Sequence, residues 1–163
     1  MRIRPAGEGD AAAVTELWTE GYSGRGAGEG RRAPYEEWEF LDAAERCRLF
    51  VAEAGGEVAA VVGFAPPQAP RKVVAGAGEA ELSRLAVAAA ARRQGVGRAL
   101  AQHCAAEARA TGAAALALWS RPHQVEAHRL YESLGYRRMP ERDSEDAEGR
   151  RLVFLLALGG DRG

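Results

Sequence analysis

The sequence is poor in the features that mark disulfide scaffolds, basic binding surfaces and membrane spans. Its 163 residues include two cysteines, Cys47 and Cys104, too few for a disulfide framework and without metal-ligand spacing. The net charge of -1 argues against a general nucleic-acid binder, since such proteins are usually clearly basic. No apolar run approaches the roughly 20 residues that a membrane helix needs, and the N-terminus lacks the apolar segment of a signal peptide. We therefore expect a cytoplasmic protein with reduced thiols, no bound metal and no nucleic-acid or membrane partner.

The chain has the length of one domain, and we predict a single domain over residues 1–163 with a flexible tail at 159–163. Apolar periodicity and turn signals predict the order β-α-α-β-β-β-α-β-α-β-β, a mixed α/β structure. The predicted strands cover residues 2–5, 49–53, 58–64, 80–87, 113–119, 136–139 and 152–158. The predicted helices cover residues 11–20, 34–46, a stretch after 97, and 122–134. The Gly-rich segment 21–33 is either a lid on the substrate side or a plain tether.

The faces and ends of the helices also have sequence signals. Asp10 is expected to cap the first helix, and Gly135 is expected to end the last one. The residues expected to pack inward from the helices are Val14, Leu17, Trp18, Trp38, Phe40, Leu41, Val96, Leu100 and Cys104. Cys104 is interpreted as a small core residue and not as a nucleophile.

The stretch Glu79–Leu100 holds the most informative motif, an apolar strand followed by two glycines and a helix. Gly95 and Gly97 let the backbone turn tightly and approach a ligand closely. The first turn of the helix should leave N–H groups unpaired as far as Ala99, and the helix dipole adds partial positive charge. We predict a diphosphate site there, unless the glycines serve packing alone. The residues expected to form it are Arg92, Arg93, Gln94, Gly95, Val96, Gly97, Arg98 and Ala99.

Two other nucleotide-binding motifs fit poorly, because the dinucleotide fingerprint needs a glycine in place of Leu100 and the chain has no Gly-Lys pair.

The sequence instead resembles the GNAT superfamily of acetyl-CoA-dependent N-acetyltransferases. The family signature Arg/Gln-x-x-Gly-x-Gly/Ala is matched by Arg92, Gly95 and Gly97. The preceding Glu81–Val87 is similar to the family's fourth strand. A second signature, Ala-x-x-Leu-Tyr-x-x-x-Gly-Phe, is matched by Ala127–Tyr136, with Tyr in the last position.

The resemblance implies a central mixed, mostly antiparallel sheet of about six to seven strands, flanked by about four helices. The fourth and fifth strands would splay apart and accommodate acetyl-CoA, the acetyl donor. Backbone groups of the fourth strand would bind the acetyl group and the pantetheine arm. Gln124 stands where the family often has Asn, so its contact to that arm rests on the same amide chemistry. The residues expected to contact the cofactor outside the glycine motif are Leu85, Ala86, Val87, Gln124 and Ala127.

The resemblance also assigns roles in acetyl transfer. A primary amine has a pKa of about 10 and is mostly protonated at neutral pH, so it must lose a proton before it attacks. Glu81 is the expected base, and Glu79 is the substitute. The alternative interpretation is that Glu81 is only a solvated carboxylate on an edge strand. The N–H of Val87 would stabilise the oxyanion. Tyr131 would donate a proton to the leaving thiolate, unless it is only a core aromatic.

We therefore predict an N-acetyltransferase that transfers an acetyl group from acetyl-CoA to a primary amine. Neither cysteine falls on a matched catalytic position, which favours direct attack in a ternary complex. A small-molecule acceptor is favoured, with protein N-termini or lysines as alternatives, and a longer acyl-CoA stays open as the donor. The alternative from another class is a non-catalytic acyl-CoA-binding or regulatory module on the same fold. A homodimer formed through the C-terminal strands is implied by the resemblance alone.

Overall fold

A computed structural model describes residues 1–22, 34–70 and 72–159 of the chain. These residues divide into two compact units, each made of segments that are not contiguous in sequence. The first unit comprises Met1–Phe64 and Arg84–His103, and the second comprises Ala65–Ser83 and Cys104–Gly163. Apart from its first two residues, the predicted lid or tether at 21–33 lies outside the described residues, as does most of the predicted tail.

The described residues form eight strands and four α-helices. In chain order they are β1 (Arg2–Pro5), α1 (Ala11–Gly21), α2 (Glu37–Arg46), β2 (Arg48–Ala54), β3 (Glu57–Ala65), β4 (Glu79–Val87), α3 (Val96–Ala110), β5 (Ala115–Ser120), α4 (Val125–Ser133), β6 (Arg137–Arg138), β7 (Ser144–Asp146) and β8 (Gly149–Ala157). Each predicted element is present, with ends within three residues of those expected. The predicted fold class, a mixed sheet with four helices, is confirmed. The additional strand is β7, which lies between the predicted strands at 136–139 and 152–158.

The first unit contains an antiparallel β1-β2-β3 meander. The hairpin between β2 and β3 turns at Gly55 and Gly56, whose φ angles of 63° and 81° favour glycine. The inner faces of α1 and α2 pack against β2 and β3 in one core cluster. Trp18 of α1 is fully buried there and Phe40 of α2 is 2% exposed, so the predicted inward faces of both helices are partly confirmed.

Two local predictions for this unit are wrong. Trp38 and Leu41 do not pack inward but are 61% and 45% exposed, because the inner face of α2 is formed by Phe40 and Ala43. Asp10 precedes α1 but makes no side-chain cap of it. Its carboxylate instead accepts the N–H of Gly7 at 2.7 Å and the guanidinium of Arg4 at 2.8 Å. These contacts lower the pKa of Asp10, and the hydrogen bond from Arg4 has the largest effect.

The second unit is built around β5 and β8, which pair antiparallel over six residues each. β8 also pairs with β6 and with β7, both antiparallel. The start of β4 pairs with β5 in parallel, over the three pairs from Glu79–Ala115 to Glu81–Ala117. The mixture of one parallel and several antiparallel ladders agrees with the expected mixed, mostly antiparallel sheet.

The last helix of the second unit ends as predicted. Gly135 has a φ of 99°, and its N–H donates to the carbonyl of Glu132 at 3.1 Å. The N–H of Tyr136 donates to the carbonyl of Tyr131 at 3.0 Å. This pair of hydrogen bonds is a Schellman motif, and it brings Tyr131 and Tyr136 together at the end of α4.

Neither a membrane span nor a metal cluster is found in the described parts of the chain. No described helix is both long and apolar enough to cross a bilayer. The His, Cys, Asp and Glu side chains at the described positions form no group of three that could hold a metal ion.

Candidate active site

The glycine loop, residues 92–95, leads into α3 in the first unit. Arg93 and Gly95 have left-handed backbones, with φ angles of 65° and 81°. The N–H of Ala99 donates to the carbonyl of Gly95 at 3.0 Å and so closes the first turn of the helix. The N–H groups of Val96 and Gly97 precede this bond and have no carbonyl within α3 to bind, which makes them available to an anion. The expectation that unpaired N–H groups extend to Ala99 is therefore wrong.

The side chains of the glycine loop turn back towards the segment before it. Gln94 Nε2 donates to the carbonyl of Ala90 at 3.1 Å, and Arg92 Nε donates to the carbonyl of Val87 at 3.4 Å. The second contact ties the loop to the last residue of β4. All three arginines of the predicted diphosphate site are exposed, so their positive charge is accessible to a ligand in solution.

A backbone irregularity interrupts β4 immediately before Leu85–Val87. Arg84 has a φ of 51° in the middle of the strand, a conformation that costs a non-glycine residue about 1–3 kcal/mol. Two side chains of the first unit hold it in place. Trp18 Nε1 donates to the carbonyl of Arg84 at 3.3 Å, and the Tyr22 hydroxyl donates to the carbonyl of Leu85 at 2.7 Å. The strand that is expected to align the acetyl group is therefore fixed by hydrogen bonds from α1 and its C-terminal end.

Glu81, the predicted base, lies in the second unit and is 4% exposed. Its Oε1 accepts the backbone N–H groups of Val73, Val74 and Ala75 at 3.0, 2.7 and 2.9 Å. Among the described residues, its Oε2 accepts only the N–H of Val73, at 3.0 Å and shared with Oε1. The interpretation of Glu81 as a solvated edge-strand carboxylate is wrong, since the side chain is buried and β4 pairs with β5. Glu81 anchors the 73–75 loop through Oε1, and Oε2 retains acceptor capacity.

Glu79, the substitute base, has a hydrogen-bond partner on each of its two carboxylate oxygens. Both of its oxygens contact the guanidinium of Arg142, at 2.8 and 3.2 Å, and Oε1 also accepts the N–H of Gly76 at 2.8 Å. The hydrogen bond from Arg142 is the main reason that the pKa of Glu79 is lowered. Arg142 also donates to the carbonyl of Val74 at 2.8 Å, so it braces the loop that Glu81 anchors.

Gln124 stands just before α4 and uses its side-chain oxygen locally. Oε1 accepts the hydroxyl of Ser120 at 2.9 Å and the N–H of Arg121 at 2.8 Å. Its amide NH₂ is thereby directed away from these two groups. If Gln124 contacts the pantetheine arm as the resemblance implies, the donor NH₂ is the part that is suited to do so. Ala127, one helical turn further on, is half-buried.

Tyr131, the predicted acid, is 6% exposed and packs against two aromatic rings of the second unit. Its ring centroid is 5.5 Å from that of Tyr136 and 5.9 Å from that of Phe154. Burial, the largest cause, raises the pKa of Tyr131 well above the ordinary range of a phenol. The phenol is therefore protonated at every pH near neutrality, as a proton donor must be.

Comparison with protein families identifies the chain. The model of the acetyltransferase (GNAT) family matches residues 11–136, which is most of the sequence. The chain belongs to the GNAT family of acetyltransferases. The match includes the glycine loop, Glu79, Glu81 and the whole of the motif that carries Tyr131. No sequence among curated proteins matches this GNAT protein significantly.

Solved structures share the fold of this GNAT protein over nearly the full length. The ribosomal-protein-S18-alanine N-acetyltransferase from Escherichia coli is 25% identical, with a TM-score of 0.68 over 98% of this chain and 96% of that one. The protein yncA from Salmonella typhimurium, a putative acetyltransferase solved with its cofactor acetyl-CoA, is 21% identical, with a TM-score of 0.75 over 99% and 96%. A ribosomal-protein-alanine N-acetyltransferase from Brucella melitensis is 21% identical, with a TM-score of 0.73 over 97% and 100%.

Sequence reasoning missed four contributors to this GNAT site. Trp18 was predicted only as a packing residue, and Tyr22, Arg84 and Arg142 were given no role. The four-residue spacing of Trp18 and Tyr22 places both on one side of α1, which was a usable signal. No local signal predicts the positive φ of Arg84 or the contact of Arg142 with a strand more than sixty residues earlier.

Substitution of Gly95, which has a left-handed backbone, tests the predicted diphosphate site. A Cβ at this position would meet no atom within 4 Å, so Gly95→Val acts through the backbone, because a β-branched residue disfavours a φ of 81°. We expect the N–H groups of the loop to move off their positions and CoA to bind roughly 10- to 100-fold more weakly by calorimetry.

The matched control for this prediction is Gly55→Val, at a hairpin glycine of the same unit with a φ of 63° and equally open surroundings. It carries the same kind of backbone strain far from the glycine loop in sequence. We expect the control to lose stability but to keep the CoA affinity of the wild type. Equal CoA affinities for Gly95→Val and wild type would overturn the diphosphate assignment.

Proposed function

We propose that this GNAT protein transfers an acetyl group from acetyl-CoA to a primary amine, by direct attack of the amine in a ternary complex. The observation that carries the proposal is the glycine loop, in which left-handed Arg93 and Gly95 precede the open N–H groups of α3. This is a site with the chemistry of a diphosphate receptor, flanked by exposed arginines. Family membership supports acetyl-CoA as the diphosphate that binds there.

Acetyl-CoA, when bound, supplies an activated acetyl thioester. The first unit would hold the diphosphate on the N–H groups of Val96 and Gly97, with charge from Arg92, Arg93 and Arg98. The backbone of Leu85–Val87 would align the acetyl end, and the carbonyl of Leu85 is already fixed by Tyr22. The N–H of Val87 is the proposed donor to the oxyanion.

Glu81 and Tyr131 would carry out the proton transfers. We assign the base to Glu81 rather than Glu79, because Oε2 of Glu81 has one shared N–H contact within the described parts of the chain, whereas Arg142 contacts both oxygens of Glu79. The lowered pKa of Glu79 also makes it a weak base. Glu81 is buried, so we propose that it takes the proton of the amine through water. Tyr131 would then donate its proton to the leaving thiolate and regain one from solvent.

A CoA-release assay across a panel of amines tests this function. The panel contains amino acids, polyamines, an aminoglycoside and short peptides with free N-termini. We expect CoA to be released together with one acetylated product. The reaction should require the unprotonated form of the amine. Tight binding of CoA without acetylation of any amine would instead support the non-catalytic acyl-CoA-binding module. A cytoplasmic location and a homodimer belong to the same proposal. The location rests on the small number of cysteines, and the homodimer rests on the family resemblance.

A further inference from the structure

The guanidinium of Arg84 is held in a fixed place by aromatic rings of the first unit. Its central carbon lies 5.0 Å from the ring centroid of Trp18 and 5.6 Å from that of Tyr35. The two rings are themselves in contact, with centroids 5.5 Å apart. Trp18 is fully buried, so this stack is part of the core and limits the rotamers of Arg84. Stacking occupies the faces of a guanidinium and leaves the N–H groups on its edges for other partners.

No anionic partner is found for Arg84 within residues 1–22, 34–70 and 72–159. In those ranges its guanidinium makes neither a hydrogen bond nor an ion pair. The other partly buried arginines in the described part of the chain each contact a carboxylate, at 2.6 to 3.2 Å. These are Arg4, Arg46, Arg121, Arg138, Arg142 and Arg151. As far as the described residues are concerned, Arg84 is therefore a half-buried cation that is positioned without a counter-charge, which is the state expected of a group that binds an anionic ligand.

The position of Arg84 along β4 indicates which ligand that is. Arg84 immediately precedes the Leu85–Val87 backbone that is proposed to align the acetyl end of the donor. The loop proposed to bind the diphosphate begins only at Arg92, after β4 has ended. An anion at Arg84 thus belongs to the reacting end of the site, where the acceptor must enter. The strained backbone, fixed through Trp18 and Tyr22, holds the side chain at that point.

We propose that Arg84 is a specificity residue that binds a carboxylate of the acceptor, and that the acceptors are therefore amines of the amino-acid class. The inference rests on the proposed acetyl transfer and names its substrate class. Arg84 would recognise the carboxylate through paired N–H donors, which orients the amine relative to the acetyl group. A site built around such a contact rejects an analogue that lacks the charge.

Matched ligand pairs test the proposal with and without turnover. The pairs are L-methionine, L-phenylalanine and L-glutamate with the corresponding α-carboxamides, which keep the amine and the side chain. We expect at least one amino acid to bind the wild type in the presence of CoA about 10- to 100-fold more tightly than its amide, by calorimetry, with the same preference in kcat/KM. Arg84→Gln should remove this preference, Arg84→Lys should restore part of it, and the Kd for CoA should stay unchanged.

Arg48→Gln is the matched control, because Arg48 also stacks on an aromatic ring of the first unit, 5.8 Å from the centroid of Phe64. It should keep the preference for the acid. The proposal is overturned if no pair is discriminated by the wild type, or if Arg84→Gln weakens acid and amide equally. It is also overturned if Arg84→Gln weakens CoA and leaves the preference intact, since the anion would then be a phosphate of the donor. Discrimination in binding by a protein that acetylates nothing would support the carboxylate site and refute the acetyl transfer.

Discussion

Glu81→Gln is expected to lower the free energy of unfolding by about 3 kcal/mol, because three backbone N–H groups lose a charged acceptor in a buried position. For a chain of this length the melting temperature should fall by roughly 6–12 °C. The amide oxygen can take the place of Oε1, but it carries no full charge, and the NH₂ group then faces the N–H of Val73 from the Oε2 position. Thermal unfolding followed by circular dichroism measures the change.

The same variant separates the two roles of Glu81. If Oε2 accepts the proton of the amine, kcat should fall about 100-fold or more near neutral pH, and the pH–rate profile should differ in shape from that of the wild type. If Glu81 only anchors the 73–75 loop, the residual rate should keep the wild-type pH profile.

Glu79→Gln is the control, since it lies on the same strand and loses its pair with Arg142 without exposing three N–H groups. We expect it to destabilise the protein less and to keep the wild-type pH–rate profile. A Glu81→Gln protein as stable as the wild type would contradict the anchoring contacts themselves.

Tyr131→Phe is expected to lower kcat by about 100-fold, with little change in the KM for the amine, because the hydroxyl acts only when the thiolate leaves. The fold should be nearly unaffected, since phenylalanine fills the same space against Tyr136 and Phe154. Stability should change by less than about 1 kcal/mol. Steady-state kinetics together with thermal unfolding distinguish loss of a proton donor from loss of packing.

Tyr136→Phe provides a control of the same chemistry in the same cluster. Tyr136 is 4% exposed, and its hydroxyl has no hydrogen-bond partner in the part of the chain that the structure describes. Removing this hydroxyl should leave kcat at the wild-type value and should not reduce stability. Equal rates for Tyr131→Phe and wild type would show that Tyr131 is a core aromatic and that the thiolate is protonated by another group.

The features that could be predicted from the sequence depend on residues that are close together along the chain. The glycine loop, the start of α3 and the Schellman end of α4 depend on residues within one or two helical turns of each other. Their φ angles and hydrogen bonds follow from glycine placement and apolar spacing. The family motifs add the roles, and both motifs lie within the matched residues 11–136.

The features that could not be predicted depend on contacts between distant residues. From the sequence, Glu81 is a carboxylate on a strand. No signal in the neighbouring sequence indicates that three N–H groups of the 73–75 loop donate to it. The positive φ of Arg84 is unfavourable locally and exists because Trp18 holds its carbonyl from a helix 66 residues away in sequence. Asp10 is a good helix cap by propensity, but the guanidinium of Arg4 is a stronger partner for it.

Strand β4 is the element on which these long-range contacts converge. Its first part carries Glu79 and Glu81, which fix the loop at 73–76 in the second unit. Its last part carries Arg84 and Leu85, whose carbonyls are fixed by α1 and by Tyr22 at its end in the first unit. The strand therefore presents its backbone and side chains in a conformation set by several partners, as preorganised transfer chemistry requires.

Transfer of an isotope-labelled acetyl group from acetyl-CoA tests the central claim most directly. The wild-type protein is mixed with labelled acetyl-CoA and an accepted amine, and mass spectrometry follows the label on the protein and on the amine through the first turnover. Direct attack in a ternary complex predicts that the label appears on the amine in step with CoA release and never on the protein. Label on a protein side chain before it reaches the amine, or CoA binding with no label on any amine, would contradict the account.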